Sequence, residues 1–185
     1  MSVKVGNDVV DLDEPAIAES HRNPRFLARV CAQSEQLSIA AAVDPKRLLW
    51  SLFAAKEAAF KVVCKLGPRP VFAHRKFVVA PDLSAVEYGG LLLPLWIEVG
   101  AGWVHALVST AEVKPQGGVG ALAVGGDPGV GARELLLKRL GVKGVEVVRD
   151  PIPGSWDGFG PPRLSSGDRD ISLSHDGGFV AFALA

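Results

Sequence analysis

The sequence predicts an α+β fold: an antiparallel sheet packed against one long helix, with an inserted strand-rich segment. Three observations carry this reading. The opening run "SVKVGNDVVDL", residues 2–12, is a valine-rich strand pattern. "KRLLWSLFAAKEAAFKVVCKL" is a long run with helical periodicity. The chain ends in "DISLSHDGGFVAFALA", two strand-like runs around Asp176-Gly177-Gly178, a strong hairpin signal. A length of 185 residues suits a single domain, 1–185, in which about 70–150 is an elaborated middle region.

The elements follow in order. After the opening strand, Asn23-Pro24 supplies an N-cap and a first-turn proline for a helix through "RFLARVC". Ser34-Glu35 restarts a helix through "EQLSIAAAV". Asp44-Pro45 opens the long helix, which Gly67 and Pro68 close. On it, Leu49, Leu52, Phe53, Lys56, Phe60 and Val63 recur at three- and four-residue spacing and form a core stripe. Trp50, Phe53, Ala54, Glu57 and Lys61 form an adjacent stripe, so Glu57 lies at the margin of the buried face. From Phe72 to Val124 the pattern turns strand-like, in "KFVVA", "LLLPLWIEV", "WVHALVS" and "GALAV". Asp127-Pro128 starts a further helix that ends at Gly141, and "VEVVRD" is a strand. A Pro/Gly-rich loop spans 151–162 before the closing hairpin. No internal repeat is evident.

Composition excludes several classes. Hydrophobic residues make up 48%, enough for a sizeable core. Twenty basic and 20 acidic side chains leave no basic excess for nucleic acid. The longest apolar region is interrupted by Pro94, Glu98, Gly100, Gly102 and His105, so no membrane span is expected and the chain reads as cytoplasmic. Cys31 and Cys64 lack metal spacing and read as buried thiols in a reducing compartment. "GGDPGVGARELLLKRLG" lacks both the third glycine of a dinucleotide loop and the Lys-Ser/Thr of a P-loop.

Three short constellations carry chemistry. Asp8 interrupts a valine strand, where aspartate is disfavoured; its plain alternative is an outward strand or turn residue. Asp11 reads as a solvated strand end. Glu57 and Lys61 stand four apart in the favourable order. As a surface ion pair they would add only about 0.3–0.5 kcal/mol, and their dense apolar setting argues for more. His175 ends a strand after Ser172 and Ser174; unless it is a turn histidine without a role, imidazole and hydroxyls together suit a phosphate.

Taken together, these motifs resemble the 4′-phosphopantetheinyl transferases, in particular the single-repeat holo-acyl-carrier-protein synthase type. Gly6-Asn7-Asp8 is similar to that family's Gly-x-Asp strand. Phe53 to Lys61 matches its (F/W)-x-x-K-E-A-x-x-K helix, and Ser172-Leu173-Ser174-His175 its S-x-S-H strand. "NPRFLARVCAQSE" looks like its basic helix. Residues 1–67 and about 160–185 carry the likeness. Val10 stands where longer, two-repeat members carry an extra carboxylate, which favours the short type.

The resemblance implies the family's fold and a magnesium-dependent transfer. The phosphopantetheine arm of coenzyme A passes to a serine of an acyl or peptidyl carrier protein of fatty-acid, polyketide or peptide synthesis, releasing adenosine 3′,5′-bisphosphate. It implies Asp8 and Glu57 as metal ligands and Asp8, Glu57 and Lys61 as the catalytic set. The base is Glu57 or a metal-bound water near Asp8. His175, Ser174, Lys61 and Lys65 are the expected coenzyme contacts, with Arg69 a second candidate beside Lys65. Arg22, Arg25 and Arg29 form a basic patch for an acidic carrier, or an ordinary solvated face. Lys56 receives no role. Single-repeat members imply a homo-oligomer, a trimer with each site between neighbours. The alternative is a transferase-fold protein that binds coenzyme A or a carrier without transferring the arm.

Overall fold

The opening strand, β1 (Val5–Asp11), lies against the long helix, and everything at the site depends on how closely the two approach. The structure is a computed structural model that describes residues 2–68, 70–152 and 158–185. Arg69 and the centre of the 151–162 loop lie outside the described residues.

Three helices follow β1. In α1 (Pro24–Val30), Asn23 Oδ1 accepts from the amides of Arg25 and Phe26 as the cap requires. Next come α2 (Gln33–Ala41) and α3 (Pro45–Leu66), the latter capped by Asp44, which accepts from Arg47 N. Ala54, Ala55, Ala58 and Ala59 of α3 are wholly buried. A Cβ on Gly6 would stand 2.0 Å from Ala58 O, so only glycine lets β1 lie flat on this alanine surface. That contact brings residue 8 of the strand to the level of residue 61 of the helix. The buried surface of α3 is wider than the predicted stripe: Trp50, Ser51 and Val62 are buried too, while Phe53 and Val63 are half-buried.

β2 (Val78–Val79), β3 (Ala85–Tyr88), β4 (Leu91–Gly100) and β5 (Trp103–Ser109) complete a five-stranded antiparallel sheet in the order β1-β5-β4-β3-β2. β1 runs antiparallel to β5, from Val5 opposite Ser109 to Asp11 opposite Trp103. A second sheet has the order β6-β10-β9, from β6 (Gln116–Ala121), β9 (Ile171–Asp176) and β10 (Phe179–Leu184). Helix α4 (Pro128–Leu140) packs on it, with Leu136 buried among Leu164, Ile171, Phe182 and Leu184. β7 (Val147–Val148) and β8 (Arg163–Leu164) form a separate ladder.

The two sheets repeat one design, which corrects the expectation of no internal repeat. In each, a first strand runs antiparallel to the second arm of the closing hairpin, and a helix packs across. Asp11 opposite Trp103 corresponds to Ala121 opposite Phe179, each just after the hairpin glycine. Aligned this way, "AGWVHALVS" matches "GGFVAFALA". The residues about 70–150 are therefore divided: β2–β5 finish the first sheet, and β6 and α4 begin the second.

Where the halves meet, β1 does not form a ladder with β9. The amides of Val5, Asn7 and Asp11 donate to the side chains of Asp170, Ser172 and Asp176, at 2.9, 3.1 and 2.9 Å. Asn7 Nδ2 donates to Ser174 Oγ at 2.8 Å. Residues 170, 172, 174 and 176 share one face of the extended chain by strand periodicity, and this polar stripe closes the otherwise bare edge of β1. Asp11 is buried rather than solvated, because its carboxylate accepts from the amides of Gly178 and Asp13.

Candidate functional site

Asp8 and Lys61 meet as the Gly6–Ala58 contact dictates: Lys61 Nζ donates to Asp8 Oδ1 at 2.9 Å and to Asn7 O at 2.7 Å. Burial pushes the Asp8 carboxyl up to about 6 from 3.8; Lys61 opposes the shift, while the nearby charges of Glu57 and Asp176 add to it. Three carboxylates thus share one electrostatic neighbourhood around a single lysine.

Glu57 is half-buried one turn before Lys61. His74 Nε2, which has no hydrogen-bond partner among the described residues, stands 3.4 Å from Glu57 Oε1. The imidazole is held by Phe53 and Phe72, with ring centroids 4.8 and 4.2 Å away. Neither His74 nor Asp176 was singled out from sequence. Each reaches the site through tertiary packing, and no local spacing announces it.

Beside Lys61 opens a cleft of about 430 Å³ between the end of α3, the strand β9 and the loop before β8. Lys61 and Lys65 form one wall, Ser172 and Leu173 the other, with Arg149 and Phe159 at the loop side. Arg149 is fixed there: its Nε donates to Gly160 O at 2.7 Å, and its guanidinium lies 5.5 Å from the Phe159 ring centroid. His175 is exposed on the face of β9 it shares with Leu173.

Two expected coenzyme contacts need correction. Lys65 donates to Val5 O, Asp170 Oδ2 and Ile171 O at 2.7, 2.7 and 2.5 Å, and burial pulls its pKa down. All three of its protons tie β1 to β9, so it has no free donor for a phosphate. Ser174 is 6% exposed and receives Asn7 Nδ2 in the seam, and Ser172 receives Asn7 N. The serines of the S-x-S-H run therefore fasten the strand, and only His175 of that run is exposed.

Behind Asn7 a chain of polar groups runs from the buried His105 out to the surface. Asn7 Nδ2 lies 3.1 Å from His105 Nε2, and His105 Nδ1 lies 3.3 Å from Glu98 Oε2. Lys114 reaches Glu98 Oε1 at 2.8 Å. Bonding from His105, together with Lys114, holds the Glu98 carboxyl down at about 2 from 4.5. Because the folded value is depressed, this contribution to stability is full above 4.5 and is lost as pH falls toward 2. Denaturant unfolding over that range should show Glu98→Gln with a shallower acid decline than wild type; equal declines would remove the carboxylate from the account.

Arg22, Arg25 and Arg29 are exposed around α1. Arg22 is engaged with Glu19 at 2.8 Å, and Arg29 lies over Phe26. Phe26 contacts Trp50, Trp50 contacts Phe53, and Phe53 contacts His74, so an aromatic ladder joins the basic helix to Glu57. Cys31 is buried, which pushes its thiol up to about 11. Cys64 is half-buried. Among the described residues no helix is long and apolar enough to cross a membrane.

Residues 4–81 match the model of the 4′-phosphopantetheinyl transferase superfamily. The superfamily match runs from β1 through β2 and includes Asp8, Glu57 and Lys61. A holo-acyl-carrier-protein synthase of Aromatoleum aromaticum is 39% identical over 59 residues, 32% of this chain and 47% of that relative. The chain thus spans about half the length of the curated relative it matches. The crystal structure of the Thermotoga maritima holo-acyl-carrier-protein synthase aligns at a TM-score of 0.42 and 18% identity, over 89% of this chain and 86% of that one.

Proposed function

We propose that the protein transfers the 4′-phosphopantetheine arm of coenzyme A to a serine of an acyl or peptidyl carrier protein. The observation that carries this reading is the desolvated Asp8 carboxylate, which feels the charge of Glu57 and is bonded to Lys61, the lysine that lines the cleft between the two halves. A carboxyl raised by burial beside a second carboxylate is costly for the fold, and such groups concentrate where chemistry needs them.

In the transfer, the carrier serine oxygen bonds to the phosphorus bearing pantetheine. The bond from that phosphorus to the bridging pyrophosphate oxygen breaks, and adenosine 3′,5′-bisphosphate leaves with the electron pair. Asp8 and Glu57 fit a hard divalent cation such as magnesium: both offer carboxylate oxygens, and a cation would offset the mutual repulsion seen in Asp8. Among the described residues no cluster of three or more His, Cys, Asp or Glu is placed to hold a metal, so two carboxylates would share the ion with substrate phosphates and water. Bound there, the ion would neutralise pyrophosphate charge. Glu57, 3.4 Å from His74 Nε2, or a water near Asp8 would take the serine proton. Lys61 reaches from Asp8 into the cleft and stabilises charge on the pyrophosphate. His175 contacts the phosphates from β9, and the apolar cleft takes the remainder of coenzyme A. Arg22, Arg25 and Arg29 present positive charge to an acidic carrier. The homo-oligomer implied by the resemblance would add neighbours around a cleft whose walls one chain already supplies.

The test is intact-protein mass spectrometry of an apo carrier incubated with the protein, coenzyme A and magnesium. The carrier should gain the mass of the phosphopantetheine arm, and Glu57→Ala should suppress that gain. No gain across fatty-acid, polyketide and peptide carriers would favour binding without transfer.

A further inference from the structure

We infer that the polar chain Glu98–His105–Asn7–Ser174 is a positioning device that sets β9, and with it His175, against the stretch of β1 that carries Asp8. It rests on the coenzyme A reading above and adds residues of β4 and β5 to it. The direction of each hydrogen bond follows from charge. Glu98, also gripped by Lys114, is an acceptor only, so the proton of the imidazole stands on Nδ1. Asn7 Nδ2 can only donate, so His105 Nε2 is the acceptor of that bond. The second Nδ2 proton reaches Ser174 Oγ at 2.8 Å, on the strand of the other half.

The cost of this arrangement is visible. Asn7 is wholly buried, and its Oδ1 has no partner among the described residues. Both protons of the amide are spent on the link while its oxygen goes unpaired, so the orientation serves the link and not the satisfaction of Asn7. Position matters on both sides of it. The residue after Asn7 is Asp8, directed to Lys61, and the residue after Ser174 is His175, exposed on the face of β9 that carries the cleft residue Leu173. One amide thus registers the two groups that would flank the pyrophosphate.

The two amide replacements of His105 separate positioning from packing. Asn keeps a group near Nδ1 for Glu98 and leaves Asn7 without its acceptor; Gln keeps an acceptor near Nε2 for Asn7. Coenzyme A affinity is read by isothermal titration without carrier, alongside thermal unfolding. His105→Asn should weaken coenzyme A binding about tenfold, the scale of one mispositioned hydrogen bond, and His105→Gln should restore most of it at a similar unfolding temperature. Ser174→Ala, a smaller change, should reproduce the loss even if both His105 variants fold poorly. Equal binding by wild type, His105→Asn and Ser174→Ala would overturn the inference alone. Wild-type protein that binds no coenzyme A would overturn the transferase reading, and this inference with it.

Discussion

Asp8→Asn should abolish most of the transfer, by about 10²–10³-fold or more, and leave the protein at least as stable at pH 7 as the wild type. The two halves of this expectation come from one fact. Asp8 is held at about 6 mainly by burial, with Lys61 only partly compensating. An acid whose folded value is raised binds its proton more tightly in the folded state, so stability falls as pH rises from 3.8 to about 6. At pH 7 the wild type carries that penalty in full. Asparagine keeps the shape, still offers an oxygen to Lys61, and removes the penalty together with the charge. Urea unfolding at pH 5 and pH 7, run beside the carrier mass assay, checks both halves. If the variant lost stability in proportion to activity, Asp8 would be a structural partner of Lys61 and the site would need another centre.

Much of this arrangement could be read from the chain because it is local. Asn23, Asp44 and Asp127 cap helices where their proline neighbours predicted, and the Asp-Gly-Gly turn closes the last hairpin. The sequence led to Asp8 and Glu57 as a pair; the approach of Asp8 to Lys61 rests on Gly6 against the alanines of α3, small residues whose contact no local pattern announces. The second half was hidden because only one hairpin arm kept its likeness, while α4 runs 13 residues against 22 in α3. Ser172 and Ser174 were misread by residue type. Their alternation with Asp170 and Asp176 already described a polar strand face, and what that face met was settled by contacts more than 160 residues apart in sequence. The His105–Asn7 and His74–Glu57 pairings likewise have no local signature.

Lys56→Met should destabilise the protein by about 3–5 kcal/mol. The sequence placed Lys56 in the apolar stripe without a role, and the structure shows why it is there. It is wholly buried, and its ammonium donates to Glu35 Oε2 at 2.6 Å, Val30 O at 3.0 Å and His74 O at 3.3 Å. Glu35 in turn accepts from the amides of Ala32 and Val79, at 2.6 and 2.9 Å. One ion pair therefore joins the end of α1, the start of α2, the middle of α3 and the end of β2. Methionine fills nearly the same volume, so the loss comes from stranding the Glu35 charge and two carbonyls, not from a cavity. Lys56→Met combined with Glu35→Gln removes the stranded charge and should recover a measurable part of the loss in the same denaturant experiment; no recovery would mean that the carbonyl contacts, and not the ion pair, dominate. Because His74 O is one of those carbonyls and His74 Nε2 faces Glu57, the single variant should also loosen the Glu57 carboxylate proposed for the transfer. Carrier modification should then fall in Lys56→Met even at temperatures where the protein remains folded.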